Sequence, residues 1–392
     1  MNKETNKLIP EFRFPEFKND KEWKKKQLSE ILDYERPDNY IVKDINYIKT
    51  GTPVLTANKG FVLGYTNEDF GIYNNLPVII FDDFTVDSKY VDFPFKVKSS
   101  AIKILKTKEN DNLKFIYESI TELKFNLVEH KRYYISEYQK LFVHVPEPTE
   151  QLKIADCLSS LDEVITAHTN KLKALKTYKK GFIQNLFPKD GESVPKLRFK
   201  EFEKYGEWEY LNGNKLFDTI SNKKHDSDLP ILAITQEQGA IPRNLINYNV
   251  VVTEKSIESY KVIEIGDFII SLRSFQGGIE YSNYKGICSP AYIILRKKNK
   301  YSENEFYKNY FKTDLYIRNL NKNLEGLRDG KMVSYSQFSE IKIPNPNPKE
   351  QQKIANTLSS LDDLIKEQVD KIEQLKLHKK GLMRGLFPKV KV

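Results

Sequence analysis

Two stretches of this chain repeat apolar residues at alternating steps of four and three. In the first they are Ile154, Leu158, Leu161, Ile165, Leu172, Leu175, Phe182 and Leu186; in the second, Ile354, Leu358, Leu361, Ile365, Ile372, Leu375, Leu382 and Leu386. This rhythm is the heptad seam of a coiled coil, narrower than the stripe of a helix buried in a globular core. Polar residues interrupt it at matching places, His168 with Gln368 and Lys179 with Lys379. Asn347-Pro348-Lys349-Glu350 reads as the start of the second helix, with Asn347 at the N-cap, Pro348 at the first helical position and Glu350 reaching back to the cap N–H. Residues 147–150 repeat the device with a weaker cap. Pro188 and Pro388 end the helices, so each has a predicted length of roughly 55–60 Å.

Elsewhere the pattern shortens. Runs 76–81, 101–105, 229–234, 267–271 and 291–295 are strand-like, rich in Ile, Leu, Val and Phe. Helices are predicted over 113–128 and 303–319. Strands first and helix late in both 24–145 and 209–345 makes each part α+β.

The two seams belong to one repeat, in which 146–189 returns as 346–389 at an offset of 200 residues with no gap. A second repeat opens each half: Arg13-Phe14, Phe17 and Trp23 recur as Arg198-Phe199, Phe202 and Trp208. The parts in between share little. A period this long describes duplicated domains and not a solenoid. The expected fold class is α+β: two globular α/β domains separated by two long antiparallel coiled-coil helices, in a pseudo-two-fold duplication. Its segments are 1–148, 149–190, 191–347 and 348–392. Such a pairing would set His168 against Gln368, polar residues that fix register at a cost in stability. His168 has no second ligand at helical spacing, so a metal role is not assigned.

Composition narrows the partners. Lys and Arg number 63 against 54 Asp and Glu, a net charge of +9, which favours a polyanion. Cys157 and Cys288 supply neither a disulfide framework nor a metal motif. The N-terminal residues carry no apolar signal core, and no run approaches the roughly 20 apolar residues that span a bilayer; a cytoplasmic protein without a membrane segment is expected. The phosphate loop G-x-x-x-x-G-K-[ST], the dinucleotide G-x-G-x-x-G and the nucleophile elbow G-x-S-x-G are all missing. Asn345-Pro346-Asn347-Pro348 lacks the aromatic that would stack on an extruded base, and Asp82-Asp83 reads as a strand end. No catalytic residue and no metal ligand are assigned.

The duplicated P-x-x-x-E-Q-x-K-I-A, L-S-S-L-D, K-K-G and L-F-P segments, together with R-F-x-x-F and E-W, resemble the specificity subunit of Type I restriction-modification systems over nearly the whole chain. The resemblance implies that each variable region is a target recognition domain reading one half of a bipartite double-stranded DNA sequence, and that the helices form an antiparallel spacer. It also implies two methyltransferase subunits that use S-adenosylmethionine, and two motor-nuclease subunits using ATP and Mg when restriction is required. The cofactors belong to those partners. The rival readings are a coiled-coil scaffold that reads no DNA and, from another class, a stand-alone nuclease.

Base readout calls for Arg, Lys, Asn, Gln, Ser or Thr on loops that enter a groove. Thr56, Asn58 and Lys59 precede Gly60; Lys96, Lys98 and Ser100 alternate and would face one side if extended. In the second half Arg273, Ser274 and Gln276 join two strand-like runs beside two glycines, and Lys331 and Ser334 form a further candidate pair. Leu186, Phe187, Leu386 and Phe387 are candidate docking residues for a partner, unless they pack on the neighbouring domain.

Overall fold

Each seam folds into one unbroken α-helix of 39 residues, Pro148–Leu186 and Pro348–Leu386, about 58 Å at 1.5 Å per residue. The computed structural model describes residues 8–58, 60–225, 228–246, 257–298, 303–322 and 333–388. Burial follows the heptad: every seam position from Ile154 to Leu175 and from Ile354 to Leu375 is buried or half-buried, while the positions that would lie on the far face are exposed. Gln368 is buried and His168 half-buried, so neither polar seam residue is turned outward.

The chain divides into two compact units, Met1–Thr169 with Lys371–Val392 and Asn170–Asp370. The division crosses both helices near their middles, so each unit holds one globular domain and half of each helix. That grouping differs from the four consecutive segments expected from sequence, because a helix half buries its seam against the other helix. In unit 1, Ile154, Ala155 and Leu158 pack with Met383 and Leu386. In unit 2, Leu186 packs with Ile354, Ala355 and Leu358. Within each unit the start of one helix thus meets the end of the other, an antiparallel arrangement. The polar seam lysines are paired there: Lys379 donates to Asp162 at 2.7 Å and Lys179 to Asp362 at 2.5 Å.

The globular part of unit 1 has a four-stranded antiparallel sheet in the order Leu32–Glu35, Ile102–Thr107, Val78–Asp82 and Ser88–Val91. Unit 2 repeats this order with Phe217–Ile220, Ile293–Lys297, Phe268–Ile270 and Glu280–Tyr281. In each, a separate strand pair ties the start of the domain to the residues just before its helix: Lys24–Gln27 with Phe142–Val145, and Glu209–Asn212 with Lys342–Asn345. The second sheets differ. Unit 1 has three strands, Val62–Thr66, Thr52–Leu55 and Lys96–Val97, whereas the described residues of unit 2 form two pairs, Leu232–Thr235 with Gly239–Pro242 and Lys261–Ile263 with Gly286–Cys288.

Two expected helices are shorter. The first is Leu113–Thr121; beyond it Leu123, Phe125 and Leu127 follow a period of two, and the Phe125 ring packs on Tyr133 and Tyr138. The second splits into Asn304–Tyr310 and Asp314–Lys322, with Thr313 Oγ1 accepting from the Tyr316 N–H to start the second piece.

Candidate nucleic-acid interface and its clamp

The repeated Glu-Gln pair at the start of each helix is a buried junction. Arg13 donates to both oxygens of Glu150 at 2.8 and 2.7 Å, and the Trp23 indole N–H reaches the same carboxylate at 3.4 Å. Arg198 and Trp208 make the same contacts to Glu350, at 2.8, 2.9 and 3.1 Å. Each glutamate is 1% exposed, and a carboxylate so far from water requires a paired cation and satisfied lone pairs. Hydrogen bonding to Glu150 raises the Arg13 pKa further. The expected capping role of Glu350 is therefore corrected: its oxygens face Arg198 and Trp208, while Asn347 caps the helix by accepting from the Lys349 N–H at 2.9 Å. The adjacent glutamines fasten the domain. Gln151 accepts from Asn112 N–H and donates to the Pro146 carbonyl, as Gln351 does with Glu303 N–H and the Pro346 carbonyl.

The docking assignment of the L-F-P residues is also corrected. Leu186, Phe187 and Leu386 are buried and Phe387 half-buried, each inside its own unit. Phe387 meets Trp23 and Phe115 at ring separations of 6.0 and 5.4 Å; Phe187 meets Trp208 and Phe306 at 6.4 and 5.2 Å. Such aromatic clusters hold helix end, lead-in segment and domain together.

The candidate reading residues fare unequally. Lys59 and Lys331 lie outside the described residues. Lys96 is not a surface cation: it is 0% exposed, 2.9 Å from Glu68, donates to the Phe70 carbonyl and lies over the Phe70 ring. Its strand is only two residues long, so the alternation that was to align it with Lys98 and Ser100 is not kept; those two are exposed. Thr56 is buried and Asn58 half-buried. In unit 2, Arg273 and Gln276 are exposed, but Ser274 is buried with its hydroxyl accepting from the Ser271 N–H at 2.8 Å. Ser334 is spent locally as the N-cap of Tyr335–Glu340 in a capping box with Gln337. Asp82 accepts from the Phe84 and Thr85 N–H groups and Asp83 from Tyr134 N–H, so both are structural.

The structure adds residues to these candidates. Arg273 shares a cleft of about 820 Å³ with Gln236, Gln238 and Arg243. In unit 1, Arg36 and Arg132 line a smaller cleft of about 420 Å³, whose Lys103 is buried and paired with Asp83 at 3.4 Å. The only prior signal was local, the His130-Lys131-Arg132 cluster and the Gln236-Glu237-Gln238 run.

Two domains with the same four-stranded sheet order, each clamped by one Arg–Glu–Trp junction to a shared pair of helices while presenting different polar loops, define a duplicated recognition scaffold. The chain belongs to the Type I restriction modification DNA specificity domain family, whose domain matches residues 20–177 and again 175–376. It is 41% identical over 199 residues to the Type I restriction enzyme EcoR124I/EcoR124II specificity subunit of Escherichia coli, covering 46% of this chain and 48% of that one. A putative Type I restriction enzyme MjaX specificity subunit of Methanocaldococcus jannaschii is 29% identical over 263 residues, covering 64% and 60%. The matches thus span about half to three-fifths of the length of these curated relatives. The fold is like that of the Type I restriction-modification S subunit from M. genitalium, with a TM-score of 0.61 at 14% identity over 98% of this chain and 100% of that chain.

Proposed function

We propose that this chain is the non-catalytic specificity subunit of a Type I restriction-modification complex, reading a bipartite double-stranded DNA target with one domain per half. The observation that carries the reading is the twofold match to a DNA specificity domain, laid on two units that share sheet order and clamp but differ in exposed loop residues. The paired helices set the gap between half-sites and offer the surface on which two methyltransferase subunits assemble. S-adenosylmethionine chemistry belongs to those subunits; ATP and Mg belong to two motor-nuclease subunits that join when the complex restricts. This chain contributes position and sequence choice. Exposed cations such as Lys98 neutralise phosphates, which makes binding salt-dependent, and Arg273 has the donor geometry to grip a guanine edge in bidentate fashion.

The test is single-molecule mapping of N6-methyladenine on DNA from cells expressing the chain with its methyltransferase subunit, compared with cells lacking the chain. A new two-part motif with a fixed gap is the expected result. An assembled complex that adds no methylation would favour the scaffold reading. Replacing residues 24–145 by another recognition domain should change one half of the motif only.

A further inference from the structure

The turn that carries Arg273 and Gln276 is held from outside at three successive alternate carbonyls. Gln236 Nε2 donates to the Arg273 carbonyl at 3.2 Å, Asn321 Nδ2 to that of Phe275 at 2.7 Å, and Lys312 Nζ to that of Gly277 at 2.9 Å. Lys312 is fully engaged. Its ammonium donates to the Gly277 carbonyl and to the Gln236 carbonyl at 3.3 Å, and it is ion-paired with Glu280 Oε1 at 2.6 Å. Glu280 is 1% exposed and begins the strand that follows the turn.

Burial pushes the Glu280 carboxyl up and the Lys312 ammonium down, while the attraction between them opposes both shifts. A buried pair of this kind is a weak source of stability compared with apolar packing; what it supplies here is position. Glycines permit the close fit. A Cβ at Gly277 would lie 2.8 Å from the Gln236 side chain, and one at Gly278, with φ +79°, would collide with the Phe311 carbonyl. The corresponding turn of unit 1, between Val78–Asp82 and Ser88–Val91, is closed instead by its own Asp82, which accepts from Phe84 and Thr85 N–H.

We infer that Lys312 and Asn321 are positioning residues that hold the Ser274–Gly277 turn rigid, so that it and the Gln236–Gln238 hairpin act as one preorganised reading surface for the second half of the DNA target. The inference rests on the DNA-reading function proposed above. Directional contacts to base edges demand placement within about 0.5 Å, and three side-chain ties to one short turn provide it, two of them, from Lys312 and Asn321, from outside the reading surface.

The experiment selects binding sites from a random duplex library with the assembled complex, using wild type, Lys312→Met and Asn321→Ala. For Lys312→Met, discrimination at one or more positions of the second half-site should fall at least about tenfold, the size of one mismatched contact. The first half-site and the gap should be unchanged. Asn321→Ala should relax the same positions less. An assembled Lys312→Met complex that selects the full wild-type motif overturns the inference, as does loss spread evenly over both half-sites. If Lys312→Met does not assemble, Asn321→Ala decides alone: an unchanged motif overturns the inference. A wild-type complex that selects no motif removes the DNA-reading function itself, and the inference with it.

Discussion

In unit 1 the Lys379 ammonium meets Asp162 at 2.7 Å and the buried Glu118 at 3.1 Å, and Lys114 bridges the same two carboxylates at 2.8 Å. In unit 2 the matching Lys179 is paired with Asp362, and three residues on from Phe306, where unit 1 has Glu118 three on from Phe115, stands Asn309, turned back to the Glu305 carbonyl. Lys176, Lys180 and Arg318 line an open cleft of about 820 Å³ in that unit. The Arg–Glu–Trp clamp, by contrast, recurs contact for contact, and so does the aromatic triangle of Trp23, Phe115 and Phe387 in that of Trp208, Phe306 and Phe187. Interior junctions tolerate no substitution on one side alone, since an unpaired buried charge or a lost ring costs several kcal/mol. A half-exposed ionic cluster can gain or lose members with its domain.

Mutations at the clamp should hurt both units alike. Glu150→Ala and Glu350→Ala each strand a largely buried guanidinium and should each cost about 3–5 kcal/mol, read by hydrogen exchange resolved to the affected unit. A large difference between the two would break the comparison. Phe187→Ala should cost about 3–5 kcal/mol and Phe387→Ala less, because Phe187 is the more buried.

The seam lysines should separate the units. Lys379→Met leaves Asp162 and Glu118 with Lys114 alone and should cost about 2 kcal/mol; Lys179→Met breaks one pair with a more exposed partner and should cost below about 1 kcal/mol. Acid sharpens the test. Burial raises the Asp162 pKa, but hydrogen bonds and charges from Lys114 and Lys379 outweigh it, so the group ionises below its ordinary value. Its folded pKa is the lower one, so the stabilisation is complete above the ordinary carboxylate pKa of about 4 and disappears as pH falls through the folded value. Lys379→Met should therefore move acid unfolding of unit 1 to higher pH. The smallest effect is expected for exposed Lys98→Ala: a uniform loss of DNA affinity, with the salt slope reduced by about 1 if it meets one phosphate.

Much of this frame was legible in the chain. The heptad seam appears residue for residue in the burial of both helices, because a 3.5-residue apolar period forms one stripe that is buried against a partner helix. The clamp was half legible: Arg13, Trp23 and Glu150 were each visible as repeated, yet their pairing joins positions more than 120 residues apart and was not read. The reading loops were least legible. Lys96 and Ser274 have the composition of surface contacts, and only the packing of neighbouring loops decides that one is sealed under Phe70 and the other bonded to Ser271.

The Phe12 N–H bonds the Gly385 carbonyl at 2.8 Å, within unit 1. That stitch, with Met383 and Leu386 in the same core, means that the domain made first is finished last. On a ribosome, unit 2 is contiguous and can close once Asp370 has emerged, whereas unit 1 must wait for the final helix half with its apolar face uncovered. Reopening the chain near Asp190 and linking the end of the second helix to the segment that carries Phe12 would reverse the order: unit 1 would become contiguous, and unit 2 would be the one left waiting.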